Sequence, residues 1–572
     1  MPQSTGPSDA ADRGAAIIER AFLAYIREFQ RYTLQARLRF EARDWRGALK
    51  DSADRLDVYS SLVAATVEHL KDLLDEQTRD RATWRAMKDA YLRWVQDRTD
   101  WELAETFFNS ITRRIFTTVG VDEDLEFPAA GMLPTDPEHA VADMTESFLC
   151  TPTLDDAVRR LFRRHDFSVG YADLSGDSAQ VARIITAHCA GTPVASLEIV
   201  RSVFYRNKEA YLVGRVHTAA GTHPLAIALL NPHGRIKVDA VLLTEDEVSV
   251  VFSYTRSYFF VDTTRPAALA TVLHTLLPKK RPSELYISLG HNKHGKTIFY
   301  RELLQHLAAT DEQFVPAPGV PGMVMLVFTM PSLDMVFKII RDRFAQPKTT
   351  TREDVKAKYE LVFKHDRAGR LVDAQEFEHL RFDRDRFSVK LLAELVTEAA
   401  STVSVSGDSV IIRHLYTERK MVPLDLFIRS AAPADAAAAI VDYGHALRDL
   451  AASNIFPGDL LLKNFGVTRH GRLVFYDYDE LCLLDTCNFR ALPAPSRDED
   501  EMSDEPWFYV GPTDVFPEEF LRFLGLSPEL RALFLETHAD LLHPESWWRM
   551  QENHRAGVVE DLLPYAPSRR LT

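Results

Sequence analysis

The sequence predicts an α+β protein, with a mainly helical N-terminal domain that contains an inserted antiparallel sheet and a C-terminal domain of two lobes. Three observations support this fold class. The chain has 572 residues, which is too many for one hydrophobic core and indicates more than one domain. Apolar residues recur at helical spacing through the first part of the chain. Short β-rich runs, separated by turn residues, then occupy about 195–262.

The N-terminal helices follow from apolar periodicity. Ile18 and Phe22 begin a repeat of three to four residues, with charged residues between the apolar ones. A second repeat ends near Leu74, and the aromatic residues from Trp84 to Trp101 mark a third long helical stretch. We expect these rings to pack between helices; a ligand-binding face is the alternative.

The β-rich region is divided by turn signals such as Ala220-Gly221 and Pro232-His233-Gly234. This pattern predicts an antiparallel sheet inserted after the helices. Helical patterns at 265–278 and 297–309 follow, and the pattern changes again near residue 311. We therefore assign residues 1–310 to the N-terminal domain and residues 311–572 to the C-terminal domain.

The composition argues against several classes of function. The net charge of −15 disfavours nucleic acid as the main partner, and no apolar stretch is long enough to span a membrane. The four cysteines form no CxxC pair and lie near no histidine cluster with zinc spacing. The polar N-terminus lacks the apolar segment of a secretory signal, so we expect a cytoplasmic protein.

A glycine-bearing segment opens the C-terminal domain between two β-like runs. It consists of Ala317, Pro318, Gly319, Val320, Pro321, Gly322 and Met323. Glycine lets backbone N–H groups approach phosphate oxygens closely, so this segment is a candidate ATP-binding loop. A simple hairpin turn is the alternative.

Lys338 follows the hydrophobic run 335–337. A lysine at this position, downstream of a glycine-bearing loop, can reach the α- and β-phosphates of ATP. The alternative is a strand-end lysine that extends into solvent. The glutamates considered as its ion-pair partner all lie on predicted helices: Glu353, Glu360, Glu376 and Glu378.

A polar loop supplies the candidate catalytic residues. Asp459 and Asn464 have the Asp-x4-Asn spacing of a kinase catalytic loop, in which the aspartate orients the acceptor hydroxyl and the asparagine binds a metal ion. Lys463 lies between them and can face the transferred phosphate. The spacing by itself is common by chance.

Two further aspartates are candidate metal ligands. Asp477 follows the strand pattern 473–476, and a carboxylate at the end of a buried strand is costly unless it binds a metal ion or another partner. We therefore predict that Asp477 binds the metal, with Asp479 close by. A turn whose aspartates cap backbone N–H groups is the alternative.

A hinge is predicted between these parts, where a strand pattern leads into a polar stretch and then a helix. Backbone groups from Glu418 to Met421 are candidates for binding the adenine edge of ATP. Together the parts occur in the order and spacing of a protein kinase, which predicts a bilobal protein-kinase-like domain. A kinase-fold phosphotransferase for another substrate and a pseudokinase scaffold are the competing hypotheses.

Several motifs of this chain differ from those of ordinary protein kinases. Pro457-Gly458-Asp459 stands where His-Arg-Asp is usual, Asp477-Tyr478-Asp479 replaces Asp-Phe-Gly, and no Ala-Pro-Glu triplet follows. The chain resembles the bacterial isocitrate dehydrogenase kinase/phosphatase family over nearly its whole length, in long segments such as NIFPGDLLLKNFGVTRHGRLVFYDYDE and FYRNKEAYLVGR.

This resemblance implies a regulatory N-terminal domain and a C-terminal domain that carries both activities. Members of the family phosphorylate a serine of isocitrate dehydrogenase and remove that phosphate, which diverts carbon between the citric acid cycle and the glyoxylate bypass. The resemblance also implies one shared site, ATP or ADP with Mg²⁺ (or Mn²⁺) as cofactors, and AMP as an allosteric effector between the domains.

The resemblance assigns a phosphatase role to Asp373 by matching motif. The residues alone favour a helix N-cap, because Glu376 three positions later would complete a capping box. For AMP, the segment 293–296 is a candidate phosphate-binding cluster, with a solvated basic turn as the alternative. The segment 490–506 is a candidate docking loop for the substrate, with a solvated loop as the alternative.

Overall fold

The structure is a computed structural model that describes residues 7–128, 142–253, 258–319, 321–345, 350–493 and 508–571. Val320 and residues 494–506 of the candidate docking segment lie outside the described residues. Helices combine with antiparallel sheets in both halves of the chain, which confirms the predicted α+β fold class. Throughout the described ranges, no helix has both the length and the apolar content needed to cross a membrane.

Long helices form the first part of the N-terminal domain. They are α1 (Pro7–Ala42), α2 (Trp45–Leu74), α3 (Arg81–Val95) and α4 (Trp101–Phe116). Their apolar stripes share one core, in which the rings of Phe22 and Phe107 lie 5.7 Å apart. Trp84 and Tyr91 are fully buried in this core, so the aromatic stripe packs between helices as expected. The predicted third stretch is two helices, since α3 ends at Val95 and α4 begins at Trp101.

A six-stranded antiparallel sheet follows, in the order β1-β2-β4-β5-β6 with β3 paired to β4. Its strands are β1 (Thr145–Leu149), β2 (Val194–Val200), β3 (Phe204–Arg206), β4 (Glu209–Thr218), β5 (Gly221–Leu230) and β6 (Lys237–Leu242). The predicted β-rich region therefore holds every strand of this sheet except β1, which precedes it.

Helices cover both faces of this sheet. They are α5 (Leu154–Arg164), α6 (Leu174–His188), α7 (Glu245–Val251), α8 (Pro266–Leu276), α9 (Pro282–Ser288) and α10 (Asn292–Ala309). Leu212 packs with α5 and α6 on one face, whereas Val213 packs with α8 and α9 on the other. Burial on both faces explains why the strands are apolar almost continuously.

The C-terminal domain begins with a second six-stranded antiparallel sheet, in the order β10-β12-β9-β8-β7 with β11 paired to β12. Its strands are β7 (Val315–Pro316), β8 (Met325–Thr329), β9 (Met335–Ile340), β10 (Gln375–Asp383), β11 (Val403–Ser406) and β12 (Ser409–Arg419). Two helices accompany the sheet: α11 (Arg352–His365) and α12 (Val389–Glu398).

Strand β10 corrects one prediction. Glu376 and Glu378 lie on this strand and not on a helix. The segment from Gln375 alternates charged and apolar residues, and its apolar residues Phe377, Leu380 and Phe382 are buried against the sheet core. Tertiary packing therefore selects the strand over the helical pattern.

The second lobe is mainly helical. It contains α13 (Leu424–Ser430), α14 (Pro433–Ala452), α15 (Phe520–Phe523), α16 (Pro528–His538) and α17 (Pro544–Arg555). Short strand pairs are added by β13 (Val422–Pro423), β14 (Ile455–Phe456), β15 (Phe465–Val467), β16 (Leu473–Phe475), β17 (Cys482–Leu483), β18 (Asn488–Phe489) and β19 (Asp514–Val515). Tyr443, Phe475 and Trp547 are buried in its core, and this core supports the loops that follow β14 and β16.

Candidate active site

Lys338 lies on β9, between Val327 of β8 and Tyr416 of β12. Its Nζ forms an ion pair with Glu418 Oε2 at 2.6 Å, and both side chains are buried. Burial raises the pKa of Glu418, and the positive charge of Lys338 opposes that rise. Glu418 is therefore the ion-pair partner of Lys338, and the expectation of a partner on a helix is wrong.

The register of β9 and β12 explains this partnership. Glu418 lies opposite Val336, so it is diagonal to Lys338, and long side chains reach across such a diagonal. The sequence predicts that the backbone of Glu418 binds the adenine edge of ATP. The structure shows in addition that the Glu418 side chain forms an ion pair with Lys338. The register depends on residues about 80 positions apart in the chain, which the sequence alone does not reveal.

Helix α11 supports Glu418. Tyr359 Oη donates a hydrogen bond to Glu418 Oε1 at 3.2 Å. The Tyr359 ring stacks on Tyr416, with centroids 3.8 Å apart and planes within 8°. The helix therefore contributes a tyrosine that orients the glutamate of the ion pair.

Lys338 also contacts the segment that carries the predicted metal ligands. Its Nζ donates a hydrogen bond to the carbonyl oxygen of Tyr476 at 3.1 Å. Asp477 follows directly, is half-buried, and lies close enough to Glu418 to contribute to the raised pKa of that carboxyl group. The ammonium group of Lys338 therefore joins the six-stranded sheet of the C-terminal domain (the small-lobe sheet) to the strand end that carries Asp477.

The candidate catalytic loop follows β14 through Gly458, whose φ is +79°. A Cβ on this glycine would lie 2.3 Å from the carbonyl oxygen of Glu480, so only glycine fits. Asp459 Oδ1 accepts a hydrogen bond from the N–H of Leu461 at 3.1 Å. The loop and the segment after Asp477 are therefore in direct contact.

Asn464 completes the loop and is buried. Its Nδ2 lies 3.4 Å from the carbonyl oxygen of Asp459, and its own backbone carbonyl accepts a hydrogen bond from Tyr476 N–H at 3.1 Å. Tyr476 Oη also donates to the carbonyl oxygen of Lys463, whose side chain is exposed. Asn464 and Asp477 are therefore held on neighbouring backbone segments.

The oxygen donors of this site suit Mg²⁺. Asn464, Asp477 and Asp479 offer amide and carboxylate oxygens, which are hard ligands. Among the residues that the structure describes, no group of three or more His, Cys, Asp or Glu side chains is arranged to hold a metal ion. That finding is compatible with Mg²⁺, which proteins usually bind through one or two carboxylates together with substrate phosphates.

The glycine-bearing segment connects β7 to β8, as predicted. Ala317 N–H donates to the carbonyl oxygen of Val327 at 2.9 Å, which anchors the start of the segment. Gly319 has φ of +119°, and a Cβ there would meet no atom within 4 Å. Pro318, Gly319, Pro321, Gly322 and Met323 are all exposed. The described residues that follow Ala317 in this segment are therefore accessible from solvent.

Asp373 is not a helix N-cap, because it precedes strand β10. The side-chain amide of Gln375 donates to Asp373 Oδ1, whereas Glu376 bonds to His414 Nε2 at 2.8 Å. Val372 N–H donates to the carbonyl oxygen of Phe475 at 3.0 Å. Asp373 therefore lies beside the strand end that leads to Asp477, and the predicted capping box is wrong.

The hinge adjoins a cavity of about 670 Å³ between the two domains. Met421, Asp373 and Arg419 line it from the C-terminal domain, and Lys280 and Glu284 line it from the N-terminal domain. Arg419 Nη2 lies 2.6 Å from Glu284 Oε1, so the hinge strand is ion-paired to the other domain.

The buried ionisable groups of this cavity remain charged at neutral pH. Burial lowers the pKa of Lys280 to about 8, so the ammonium form still predominates. Burial would raise the pKa of Glu284, but Lys280 and Arg419 hold it down to about 2. The turn between β15 and β16 adds the cations Arg469 and Arg472 to the lining.

The segment 293–296 lies elsewhere, within the first turn of α10, so it is not a solvated turn. His294 is buried, and its Nδ1 bonds to Thr106 Oγ1 at 2.7 Å. Lys293 and Lys296 line a separate cavity of about 400 Å³ between α4, α10 and β10. The segment therefore does not line the cavity beside the hinge.

The fold and the site define a phosphotransferase of the protein-kinase class, with a glycine-bearing loop, a paired lysine and an Asp-x4-Asn loop. Residues 312–567 match the family described as "Isocitrate dehydrogenase kinase/phosphatase (AceK) kinase domain". Residues 15–311 match the regulatory domain of the same family. The chain belongs to the isocitrate dehydrogenase kinase/phosphatase family, which confirms the resemblance.

Full-length relatives agree with this assignment. A protein of Anaeromyxobacter sp. (strain Fw109-5) is 50% identical over 576 residues, covering 99% of both chains. A protein of Anaeromyxobacter dehalogenans (strain 2CP-C) is 49% identical and covers 98% of both. One from Xanthomonas euvesicatoria pv. vesicatoria (strain 85-10) is 44% identical and covers 99% of both. Each is named isocitrate dehydrogenase kinase/phosphatase.

Proposed function

We propose that this chain transfers the γ-phosphoryl group of ATP to a serine of isocitrate dehydrogenase and also removes that phosphate. The observation that carries the proposal is the position of Lys338. Its ammonium group bonds both Glu418, at 2.6 Å, and the carbonyl oxygen next to Asp477, at 3.1 Å. A lysine held in this way is what an ATP-dependent kinase needs to orient the α- and β-phosphates.

The other site residues have matching roles in the proposal. Asp459 accepts the hydrogen bond of the serine hydroxyl and orients it for attack, and Lys463 balances charge on the transferred phosphate. The segment 317–323 contacts ATP phosphates through its backbone, and backbone groups from Glu418 to Met421 bind the adenine edge. Asn464, Asp477 and Asp479 would hold Mg²⁺, which neutralises phosphate charge when it is bound.

We assign the phosphatase reaction to the same cleft, with Asp373 orienting a water molecule toward the phosphoserine. The support is its position beside the segment that leads to Asp477, through the bond from Val372 to Phe475. In this view residues 311–572 carry both reactions, and the opposing activities set the division of carbon between the citric acid cycle and the glyoxylate bypass.

We place AMP in the cavity beside the hinge. Its volume of about 670 Å³ falls in the range of small-molecule sites, and Lys280, Arg419 and Arg469 provide cations for a phosphate. Binding of AMP measured by calorimetry tests this placement. Lys280→Met should weaken binding at least tenfold, and an unchanged affinity would show that AMP binds elsewhere.

The central experiment uses the purified chain with isocitrate dehydrogenase, Mg²⁺ and ATP labelled at the γ-phosphate, followed by a chase with ADP and AMP. Label should enter the dehydrogenase and leave it during the chase. Asp477→Asn should lose both reactions, because both need the metal ligand. Asp408→Asn, an exposed aspartate in the turn between β11 and β12, is the matched control and should retain both.

Other outcomes would identify other functions. ATP turnover without label on the dehydrogenase would indicate a kinase for another substrate. ATP binding without turnover would indicate a scaffold. Loss of the kinase reaction alone in Asp477→Asn would show that the phosphatase reaction does not depend on this metal ligand.

A further inference from the structure

Two cysteines lie together beside the catalytic loop, although they are five residues apart and form no CxxC motif. The Sγ atoms of Cys482 and Cys487 are 3.5 Å apart, within hydrogen-bond distance for sulfur, and both thiols are free. Cys482 is half-buried on β17, whereas Cys487 is buried. Cys482 is therefore the more exposed residue of the pair.

The loop between the two cysteines is held in place from outside. Gln551 Nε2, on α17, donates to the carbonyl oxygens of both Leu484 and Cys487 at 2.8 Å. Leu484 N–H donates to the carbonyl oxygen of Asn454 at 3.0 Å. These bonds keep the two sulfur atoms as neighbours without a covalent link.

The charges around the pair favour a reactive thiol at Cys482. The hydrogen bond with Cys487 lowers the pKa of the Cys482 thiol below its ordinary value, and Lys358 on α11 lowers it further. A cysteine near a cation and a second thiol forms thiolate more readily, and the thiolate is the nucleophile in disulfide exchange.

The pair is connected to the catalytic loop through the backbone. Cys482 is the strand partner of Phe456, three residues before Asp459. Gly458 lies between Phe456 and Asp459 in the chain. It packs so closely against Glu480 that a Cβ on Gly458 would lie 2.3 Å from the Glu480 carbonyl oxygen. A displacement of Cys482 therefore reaches Asp459 through one strand pair and one tight contact.

We propose that Cys482 and Cys487 form a reversible intrachain disulfide in response to low-molecular-weight disulfides, and that this bond lowers the activity of the neighbouring site. The effect on activity rests on the proposed function, whereas formation of the bond does not.

The reaction is an ordinary thiol–disulfide exchange. The Cys482 thiolate attacks one sulfur of the oxidant, whose S–S bond breaks and releases one thiolate. Cys487 then loses its proton to solvent and attacks the Cys482 sulfur, which breaks the mixed disulfide and releases the second thiolate. The protein loses two electrons and two protons, and the oxidant is reduced to two thiols.

Bond formation requires movement. A disulfide bond is about 2.0 Å long, so the sulfur atoms must approach by about 1.5 Å from their separation of 3.5 Å. A displacement of about 1 Å at a catalytic group can cost up to about a hundredfold in rate. We expect turnover to fall about tenfold or more in the oxidised protein and to return after reduction with dithiothreitol.

The first test measures the bond itself. The full-length chain is incubated with oxidised glutathione and analysed by intact mass and peptide mapping. The wild-type protein should lose two hydrogens and show a peptide linked through Cys482 and Cys487. Cys487→Ser should instead retain one glutathione on Cys482, because the second thiol is missing. Cys150→Ser is the matched control and should behave as the wild type.

The second test measures activity on the same samples. The oxidised wild type and oxidised Cys150→Ser should be inhibited, and dithiothreitol should restore both. A stable glutathione adduct on wild-type Cys482, or no loss of the two thiols, would overturn the proposal. A linked peptide with unchanged turnover would overturn its regulatory part. Inactivity of the reduced wild type would count against the proposed function and leave the mass result valid.

Discussion

The two six-stranded antiparallel sheets differ in what their faces contact. In the N-terminal sheet, neighbouring residues such as Leu212 and Val213 pack into separate cores on opposite faces. In the small-lobe sheet, Phe337 and Ile339 pack against α10 and α12 on one face, whereas Lys338 points to the other, toward the second lobe. Lys338 therefore lies on the sheet face that meets the second lobe and not on the face that helices cover.

The largest effect should come from the lysine itself. Lys338→Met should reduce kinase turnover by about a hundredfold or more, because the phosphates lose a positioned cation. The melting temperature should also fall, because the buried Glu418 carboxyl group loses its ion-pair partner. Turnover per folded molecule and the melting temperature of the same preparation measure the two effects separately. Nearly normal turnover would contradict the role given to Lys338.

A substitution in the N-terminal sheet should lower the stability of the protein without lowering its turnover. A Cβ on Gly214 would lie 2.0 Å from the carbonyl oxygen of Glu198 on the neighbouring strand. Gly214→Ala should therefore destabilise the protein by about 2–3 kcal/mol, measured by chemical denaturation, while turnover per folded molecule stays close to normal. Thr222→Ala, at an exposed position on β5, is the control and should cost little.

The buried carboxyl group of Glu209, in the N-terminal sheet, makes the stability of the protein depend on pH. Burial raises the pKa of Glu209, on β4, to about 8. Since its folded pKa lies above its unfolded value, its contribution to stability is fully present below about pH 4.5 and is lost as the pH rises toward 8. Glu209→Gln should therefore gain stability relative to the wild type as the pH rises from about 4.5 to about 8, on the order of 5 kcal/mol in total. A constant difference across that range would contradict the raised pKa.

The smallest effect is expected from Tyr359, whose hydroxyl group donates a hydrogen bond to the glutamate of the Lys338–Glu418 ion pair. Tyr359→Phe removes the hydrogen bond to Glu418 but keeps the ring stacked on Tyr416. The cost should be about 1 kcal/mol, observed as a fewfold rise in the KM for ATP. Tyr359→Leu should cost more, because it also removes the stacking. Equal effects of both variants would show that the hydroxyl group alone matters.

The sequence predicted the fold class, the family and the order of the site segments, because these depend on local patterns and motif spacing. It missed the partner of Lys338, since the pairing of Glu418 depends on the register of strands distant in the chain. It also mistook the start of β10 for a helix, because Asp373 and Glu376 imitate a capping box. The assignment of roles to the site residues stays a prediction.

Glu418 and Arg419 are consecutive residues on β12, yet their side chains are anchored in different places. Glu418 holds the lysine of the cleft, and Arg419 holds Glu284 of the N-terminal domain. Successive side chains of a strand leave it on opposite sides, so a twist of β12 about its own axis displaces both anchors at once, in opposite directions. One peptide bond of β12 therefore separates the residue that is ion-paired to Lys338 from the residue that is ion-paired to the N-terminal domain.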